Sequence, residues 1–451
     1  MSWKTHKLGD ILNRKRLKVN LQFDVEYKLV TIKLWHKGVV LREFKLGREI
    51  KSKMFQINEG DFILSGIDAR NGAFGIVPNE LNGAIVTNDF WCLEPKKEIL
   101  RKDFFLFLTS TKFFDYICNQ CSDGTTQRIR LQKEKFFNFE IALPSVDEQE
   151  SVVNLLKDNN IKSEILSNEF AYQLDIIKQL RQAFLREAMQ GWLNTNDNLG
   201  ITNGETGHDL LAKIKAEKVQ LIAEKKLKKE KELPLITEEE IPFEIPEHWA
   251  WCRLGEIANT FTGNSINERE KSMIYSKFNE GFHYIGTKDV MFDGKGINYN
   301  TGVKIPFNDK KFKTTKENSI LMCIEGGSSG KKYAMTNKEI CFGNKLLASE
   351  INSKLSPYFF YQYYQSQLFS NEYIDKSKGL RGGVSINQFR EIIAPLPPLQ
   401  EQEHIVAKLK ELMAYCDGLE QSIKESQGYN EKLLQEVLRE ALKGEKSNID
   451  F

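Results

Sequence analysis

Two stretches of the chain carry apolar residues at alternating three- and four-residue spacing, the repeat that lines them along one face of a helix. In the first, Leu156, Leu166, Phe170, Ile177, Leu180 and Phe184 fall in step. In the second, Leu409, Leu412, Cys416, Leu419, Ile423, Leu433 and Val437 do the same. Each stretch follows a proline stop, Leu143-Pro144 or Leu396-Pro397-Pro398, and runs to a glycine, Gly191 or Gly444, the residue that most readily ends a helix. The pattern predicts two helices of ~42 residues, each ~60 Å long at 1.5 Å per residue. Ser426 and Asn430, like Asn159, Ser163 and Gln173, interrupt the seams, and a break or bend is expected there.

Ahead of each helix the period changes. Short strand-like runs appear, among them Asp61-Phe62-Ile63-Leu64-Ser65 and Ser319-Ile320-Leu321-Met322-Cys323, punctuated by glycine turns at Gly72, Gly75 and Gly83 and at Gly326, Gly327 and Gly330. These segments read as two mixed α/β lobes. The two halves are also one unit written twice. Leu8-Gly9-Asp10-Ile11 recurs as Leu254-Gly255-Glu256-Ile257, and Glu148-Gln149-Glu150 as Glu401-Gln402-Glu403. From Glu148 to Gly191 a single offset of 253 holds without a gap, with 14 of 44 pairs identical, a register that chance does not keep. Between the copies lie a polar stretch and the lysine-rich run Leu210 to Lys231, read as a solvated helix, then a connector bearing Pro234, Pro242 and Pro246. The expected fold is α+β: two pseudo-symmetric lobes, 1–146 and 248–399, separated by two long antiparallel helical regions, 147–193 and 400–451, with a linker at 194–247.

Charge sharpens this picture. The 451 residues sum to a formal charge of only +2, yet residues 1–53 hold 14 Lys or Arg against 5 acids, while residues 140–175 hold 8 acids against Lys157 and Lys162. Basic lobes alternate with acidic helices, the footprint expected of a nucleic-acid binder whose net charge conceals it. The composition, 41% hydrophobic and 28% charged, is ordinary for a globular protein, and no stretch approaches the ~20 apolar residues of a membrane helix. A cytoplasmic protein with its seven cysteines as reduced packing residues is expected.

The search for catalytic chemistry returns little. Glu325 to Lys332 is similar to a phosphate-binding loop but has Glu325 where glycine is needed and Lys332 where Ser or Thr is needed. Cys118 and Cys121 form one CxxC without a second pair, and the six histidines show no ligand spacing, so no metal site is expected. Asp209 with Glu224-Lys225-Lys226 imitates a nuclease set inside a charged run where composition produces such matches.

The doubled arrangement resembles the specificity subunits of type I restriction-modification systems over essentially the whole chain. The residues that carry the resemblance are Pro395-Leu396-Pro397-Pro398-Leu399-x-Glu401-Gln402, Pro246-Glu247-His248-Trp249-x-Trp251-x-Arg253-Leu254-Gly255-Glu256-Ile257, and Ile67-Asp68-Ala69-Arg70-Asn71-Gly72-Ala73-Phe74-Gly75. The first closing motif departs from the pattern at Ser145-Val146-Asp147. The resemblance implies a non-catalytic subunit that reads a bipartite, asymmetric duplex DNA target. It also implies that the chain scaffolds two methyltransferase subunits and, through them, two restriction subunits. S-adenosylmethionine, ATP and Mg2+ would be used by those partners. The alternatives are the separate specificity subunit of a type II system with a fused nuclease-methyltransferase, and a coiled-coil scaffold that does not bind DNA.

Within the lobes, candidates rest on chemistry and alignment. Arg70 and Asn71 in the first glycine loop, and Ser328, Ser329 and Lys331 in the second, can approach phosphate or a guanine edge; a tight turn with a solvated cation is the competing reading. The alignment sets Gly72 against Gly327 and Gly75 against Gly330. Gln127, Arg128, Arg130 and Arg381 precede the closing segments and belong to types that read adenine or guanine bidentately, although Arg130 is equally placed to pair with the acidic helix. Asn88 and Asn344 fall at aligned positions and suit turn caps. Lys33, Arg42 and Lys45 suit a phosphate-tracking face. The helical seams, from Leu156 to Phe184 and from Leu409 to Val437, are the expected partner-binding surface.

Overall fold

Strand pairings in a computed structural model of the chain show the doubling directly. The structure describes residues 3–124, 129–194, 204–225, 231–377 and 383–442. Gln127, Arg128 and Arg381 therefore lie outside the described residues. The chain divides into two compact units, Met1–Ala171 with Lys424–Phe451, and Tyr172–Ile423. Each unit contains one lobe and a portion of both long helices.

In the first lobe, Lys4–Lys7 pairs antiparallel with Glu140–Leu143, so the start of the lobe is tied to its end. In the second, Ala250–Arg253 pairs with Ile393–Leu396 in the same way. Each lobe then has a four-stranded sheet of the same order. In lobe one it runs Leu12–Lys15, Phe90–Pro95, Phe62–Ser65, Phe74–Ile76; in lobe two, Ala258–Thr262, Leu346–Ile351, Ile320–Cys323, Tyr333–Met335. The central strands Phe62–Ser65 and Ile320–Cys323 are buried at every residue, which is why they read as unbroken apolar runs. A second sheet in each lobe contains one parallel strand pairing, Leu29 with Ile85 in lobe one and Tyr284 with Cys341 and Ile285 with Phe342 in lobe two.

Paired short helices cover the sheets. Phe104, Phe105 and Leu108 of Lys102–Thr109, with Phe113, Phe114 and Ile117 of Lys112–Gln120, face inward at helical spacing. Phe359, Phe360, Tyr363 and Tyr364 of Pro357–Gln365, with Phe369 and Tyr373 of Gln367–Lys376, do so in lobe two. The second helix of each pair starts on a hydroxyl cap: Thr111 accepts from the Phe114 N–H, and Ser366 from the Phe369 N–H.

The long helices are unbroken, Val146–Gln190 and Leu399–Leu442, and Gly191 follows the first with φ +80°. The expected breaks at the polar positions are absent because some of those positions partner one another: in the first unit Asn430 Nδ2 donates to the Ser163 hydroxyl at 3.0 Å and to the Ser163 carbonyl at 3.2 Å. In the second unit Arg181 reaches Asp417 at 2.7 Å and Glu420 at 3.2 Å. Leu185, Ala188 and Met189 there share a core with Leu409 and Ile405. Residue numbers rise on one helix as they fall on the other, so the pair is antiparallel. Of the seam residues, Leu156, Ile177, Leu409 and Cys416 are buried within their own units. Leu180, Phe184, Phe170, Leu412, Leu419, Ile423 and Val437 are partly buried, whereas Leu166 and Leu433 are exposed.

The repeated Glu-Gln pair joins helix to lobe. Gln149 is fully buried; its Oε1 accepts from the Arg101 N–H at 2.9 Å, and its Nε2 donates to the carbonyls of Ile99 (2.8 Å) and Pro144 (3.0 Å). Gln402, equally buried, accepts from the Ser356 N–H at 2.9 Å and donates to the Pro397 carbonyl at 2.8 Å. The adjoining glutamates diverge. Glu148 bonds the Ser145 N–H and hydroxyl, closing its own helix start, while Glu401 bonds His248 Nε2 at 2.7 Å and Trp249 Nε1 at 2.8 Å. The opening and closing motifs of the second copy thus meet.

The expected solvated helix is instead docked. Gly207–Ala223 buries Leu210, Leu211 and Ile214 in the core with Trp249 and Leu254. A Cβ at Gly207 would stand 2.1 Å from the Leu396 carbonyl, so only glycine permits this approach. Three apolar residues near its start outweigh the charges that follow, because burial of each contributes about 1.5–3 kcal/mol. All seven cysteines are buried.

Candidate nucleic-acid interface

The loop that joins the last two strands of the four-stranded sheet is the centre of each lobe's candidate surface. In lobe one it spans Gly66 to Ala73 and includes a short turn at Ala69–Asn71, ended by Gly72 at φ +69°. Arg70 is partly buried, and its Nε is a buried donor without a partner. A guanidinium N–H held out of water with no acceptor is a cost to the fold. Asn71 uses its backbone in place: its N–H donates to the Asp68 carbonyl and its carbonyl accepts from Trp35.

In lobe two the corresponding loop runs from Ile324 to Lys332 and is one residue longer. The register sets Ile63 against Gly75 in lobe one and Leu321 against Ala334 in lobe two. The Ser65 N–H bonds the Ala73 carbonyl, and the Cys323 N–H bonds the Lys332 carbonyl. Lys331, not Gly327, is therefore the counterpart of Gly72, and Gly75 answers to Ala334. Ser329 bonds the Tyr373 hydroxyl at 2.7 Å, and burial pushes that phenol up to about 12. Ser328 accepts from the Lys331 N–H through its carbonyl, and the Lys331 side chain is exposed. A concave surface of about 950 Å³ opens here, lined by Glu325, Ser329, Lys331, Lys345 and Tyr373 among others.

Three further segments converge on each loop. The residue after Arg130 anchors one of them: the Leu131 N–H bonds the Gly66 carbonyl at 2.7 Å, as the Val384 N–H bonds the Ile324 carbonyl at 3.1 Å. Arg130 itself pairs with Asp89 at 3.1 Å rather than with the acidic helix. The second is the turn at Asn88-Asp89 and at Asn344-Lys345, where Asp89 and Lys345 carbonyls accept from the Gly66 and Ile324 N–H groups. The third was not foreseen. A hairpin tip between Glu26–Ile32 and Val39–Leu46 donates from Trp35 N–H to the Asn71 carbonyl (2.9 Å) and from His36 N–H to the Gly72 carbonyl (3.0 Å).

Lys33 stands exposed on this tip. Arg42 and Lys45 lie on the returning strand, but the basic face is not purely cationic: Arg42 pairs with Glu43 at 3.4 Å, and Glu49 lines the same shallow pocket. Arg14 was missed by the motif search, although it sits in the Arg14-Lys15-Arg16 run. Its guanidinium lies over the Trp91 ring at 4.9 Å and bonds the Asn88 carbonyl at 2.6 Å. Burial, with Arg16 alongside, brings it down to about 10 against the opposing pull of Asp89, so it stays cationic at neutral pH. Among the described residues no group of three or more His, Cys, Asp or Glu could hold a metal ion, and no helix is long and apolar enough to cross a membrane.

Residues 1–180 and 246–426 match the family described as type I restriction modification DNA specificity domain. The chain is similar to the type I restriction enzyme EcoAI specificity subunit of Escherichia coli, with 32% identity over 260 residues, 55% of this chain and 42% of that protein. It is similar to the EcoDI specificity subunit of Escherichia coli at 24% identity over 457 residues, 99% of this chain and 89% of that one. The match to the first of these, like that to the EcoEI subunit at 43%, spans less than half of the relative's length. Among solved structures, the HsdS subunit from Thermoanaerobacter tengcongensis superposes with a TM-score of 0.57 at 18% identity, over 99% of this chain and 97% of that one. A chain solved for the complex assembly and conformational transition of the type I R-M system gives 0.65 at 19% identity, over 99% and 98%. At these identities the likeness is one of fold.

Proposed function

The chain belongs to the type I restriction-modification DNA specificity family, and from that premise we propose that it reads a bipartite, asymmetric duplex target, one half-site with each lobe. The observation that carries this reading is the convergence, in both lobes, of three chain segments on one loop, with Arg70 and Arg14 in the first and Lys331 and Lys345 in the second. Because the lobes share their strand order but not their loop residues, the two half-sites differ in sequence. The exposed apolar positions of the long helices, such as Leu166 and Leu433, hold two methyltransferase subunits, which in turn bring two restriction subunits. The chain itself is non-catalytic and cytoplasmic; S-adenosylmethionine, ATP and Mg2+ are used by the partner subunits.

Filter binding of random-sequence duplexes, by the chain with its methyltransferase subunit, at 50 and 200 mM salt tests the DNA reading. Phosphate contacts predict a loss of affinity by orders of magnitude across that range. Weak, salt-insensitive retention would favour a helical scaffold that does not bind DNA.

A further inference from the structure

Two exposed aromatic residues stand beside the loops of the two lobes, each one residue before an N–H that bonds its loop. In lobe one, Trp35 is 69% exposed at the hairpin tip, preceded by Leu34 at 39%. In lobe two, Phe292 is 48% exposed, preceded by Met291 at 46%. The next residue takes a left-handed conformation in both, His36 at φ +56° and Asp293 at φ +54°. Its N–H donates to the recognition loop in both, His36 to the Gly72 carbonyl and Asp293 to the Lys331 carbonyl, the two positions matched by strand register. Trp35 is itself left-handed at φ +59°, a conformation that glycine or asparagine would adopt with less strain and that is an outlier for a bulky side chain.

Neither ring is retained for the core, since both stand in solvent. The surroundings restrict what could cover them. Lys33 and Lys37 are exposed on the first tip, and the Lys332 ammonium lies 4.8 Å from the Phe292 ring centre. A large apolar residue followed by an aromatic, set among cations beside a loop that bears Arg70 in one lobe and Lys331 in the other, is complementary to a base step with its flanking phosphates.

We propose that Trp35 and Phe292 are a matched pair of base-stacking residues, each inserted against the bases of the half-site read by its own lobe. The proposal rests on the DNA-reading function and adds to it a contact that is independent of hydrogen-bond readout.

The test uses the full chain assembled with its methyltransferase subunit and duplexes carrying its methylated target, with 2-aminopurine placed at successive positions of each half-site. The parent changes the emission at one or two positions in each half-site. Trp35→Ala abolishes the change in one half-site only and Phe292→Ala in the other. Affinity falls about 5- to 150-fold, the range for truncating a base-stacking aromatic, while the salt slope stays as in the parent. Trp35→Gly folds at least as stably as the parent, because it relaxes the left-handed backbone, yet shows the same loss of binding; a binding loss caused by unfolding would instead lower its melting temperature and overturn the proposal. Parent-like affinity and emission in Trp35→Ala and Phe292→Ala overturns it too, and so does a loss of methyltransferase assembly with DNA contacts unchanged. If the parent complex fails to bind its target duplex at all, the DNA-reading function falls first.

Discussion

Replacing either buried glutamine by methionine removes a polar fastener while keeping side-chain length. Gln402→Met leaves the Ser356 N–H and the Pro397 carbonyl without their side-chain partner; Gln149→Met does the same to the Arg101 N–H and the carbonyls of Ile99 and Pro144. Each buried group left unsatisfied costs about 1–3 kcal/mol. The upper limits are therefore about 6 kcal/mol for the Gln402 substitution and about 9 kcal/mol for that of Gln149, before relaxation and the apolar gain of methionine reduce both. We expect losses of about 2–3 and 3–4 kcal/mol, corresponding to melting temperatures lower by about 4–12 and 6–16 °C at 2–4 °C per kcal/mol. Thermal melts followed by circular dichroism read the shift, and hydrogen exchange at Ser356 and Arg101 reports whether the loss is local. Melting temperatures within a degree of the parent would refute the reasoning, as would a milder effect at Gln149 than at Gln402.

Arg253 is 1% exposed and bonds the carbonyls of Pro234, Leu235 and Glu391 as well as Glu240, so Arg253→Met should cost about 3–5 kcal/mol and expose the 231–241 connector to protease. Burial pulls the Glu240 carboxyl upward, but hydrogen bonds from Arg253 and the Thr237 N–H outweigh it and hold the carboxyl below the ordinary glutamate value. The stability it contributes is thus present above that ordinary value and lost as pH falls through the depressed one; acid titration of Arg253→Met should show a smaller component of this kind, since the Thr237 N–H remains. Arg70→Ala should weaken target binding by ~1–3 kcal/mol and relax one position of one half-site, with no rescue by Arg70→Lys; a uniform loss on all sequences with a salt slope lower by about one would make Arg70 a phosphate contact instead.

The long helices were legible because their signals are local: proline before, glycine after, and apolar residues at helical spacing between. Observed starts at Val146 and Leu399 lie two residues beyond Pro144 and one beyond Pro398. Strand order was not legible. Phe62–Ser65 pairs with Phe90–Pro95, and Leu12–Lys15 pairs with that same strand from far upstream, so no short window contains both partners. The Glu-Gln motif stood out as a repeat, yet Gln402 works through Ser356, 46 residues away, and Gln149 through Ile99, 50 away. The helix Gly207–Ala223 was misjudged because its lysines conceal three buried residues near its start. In the candidate site, Arg70 and Lys331 were nominated for their glycine-rich setting. Trp35 and Phe292 were not, since the hydrogen bonds that bring each of these segments to its loop join stretches far apart in the sequence.

Sequencing the methylated positions in a genome whose host carries this chain and its methyltransferase is the most direct measurement of the central claim. Two lobes with one fold and different loops predict a methylated motif of two specified parts, unlike each other and separated by unspecified bases, and exchanging the 66–73 loop should alter one part and leave the other unchanged. A continuous or palindromic motif, or a loop exchange that alters both parts together, would contradict it.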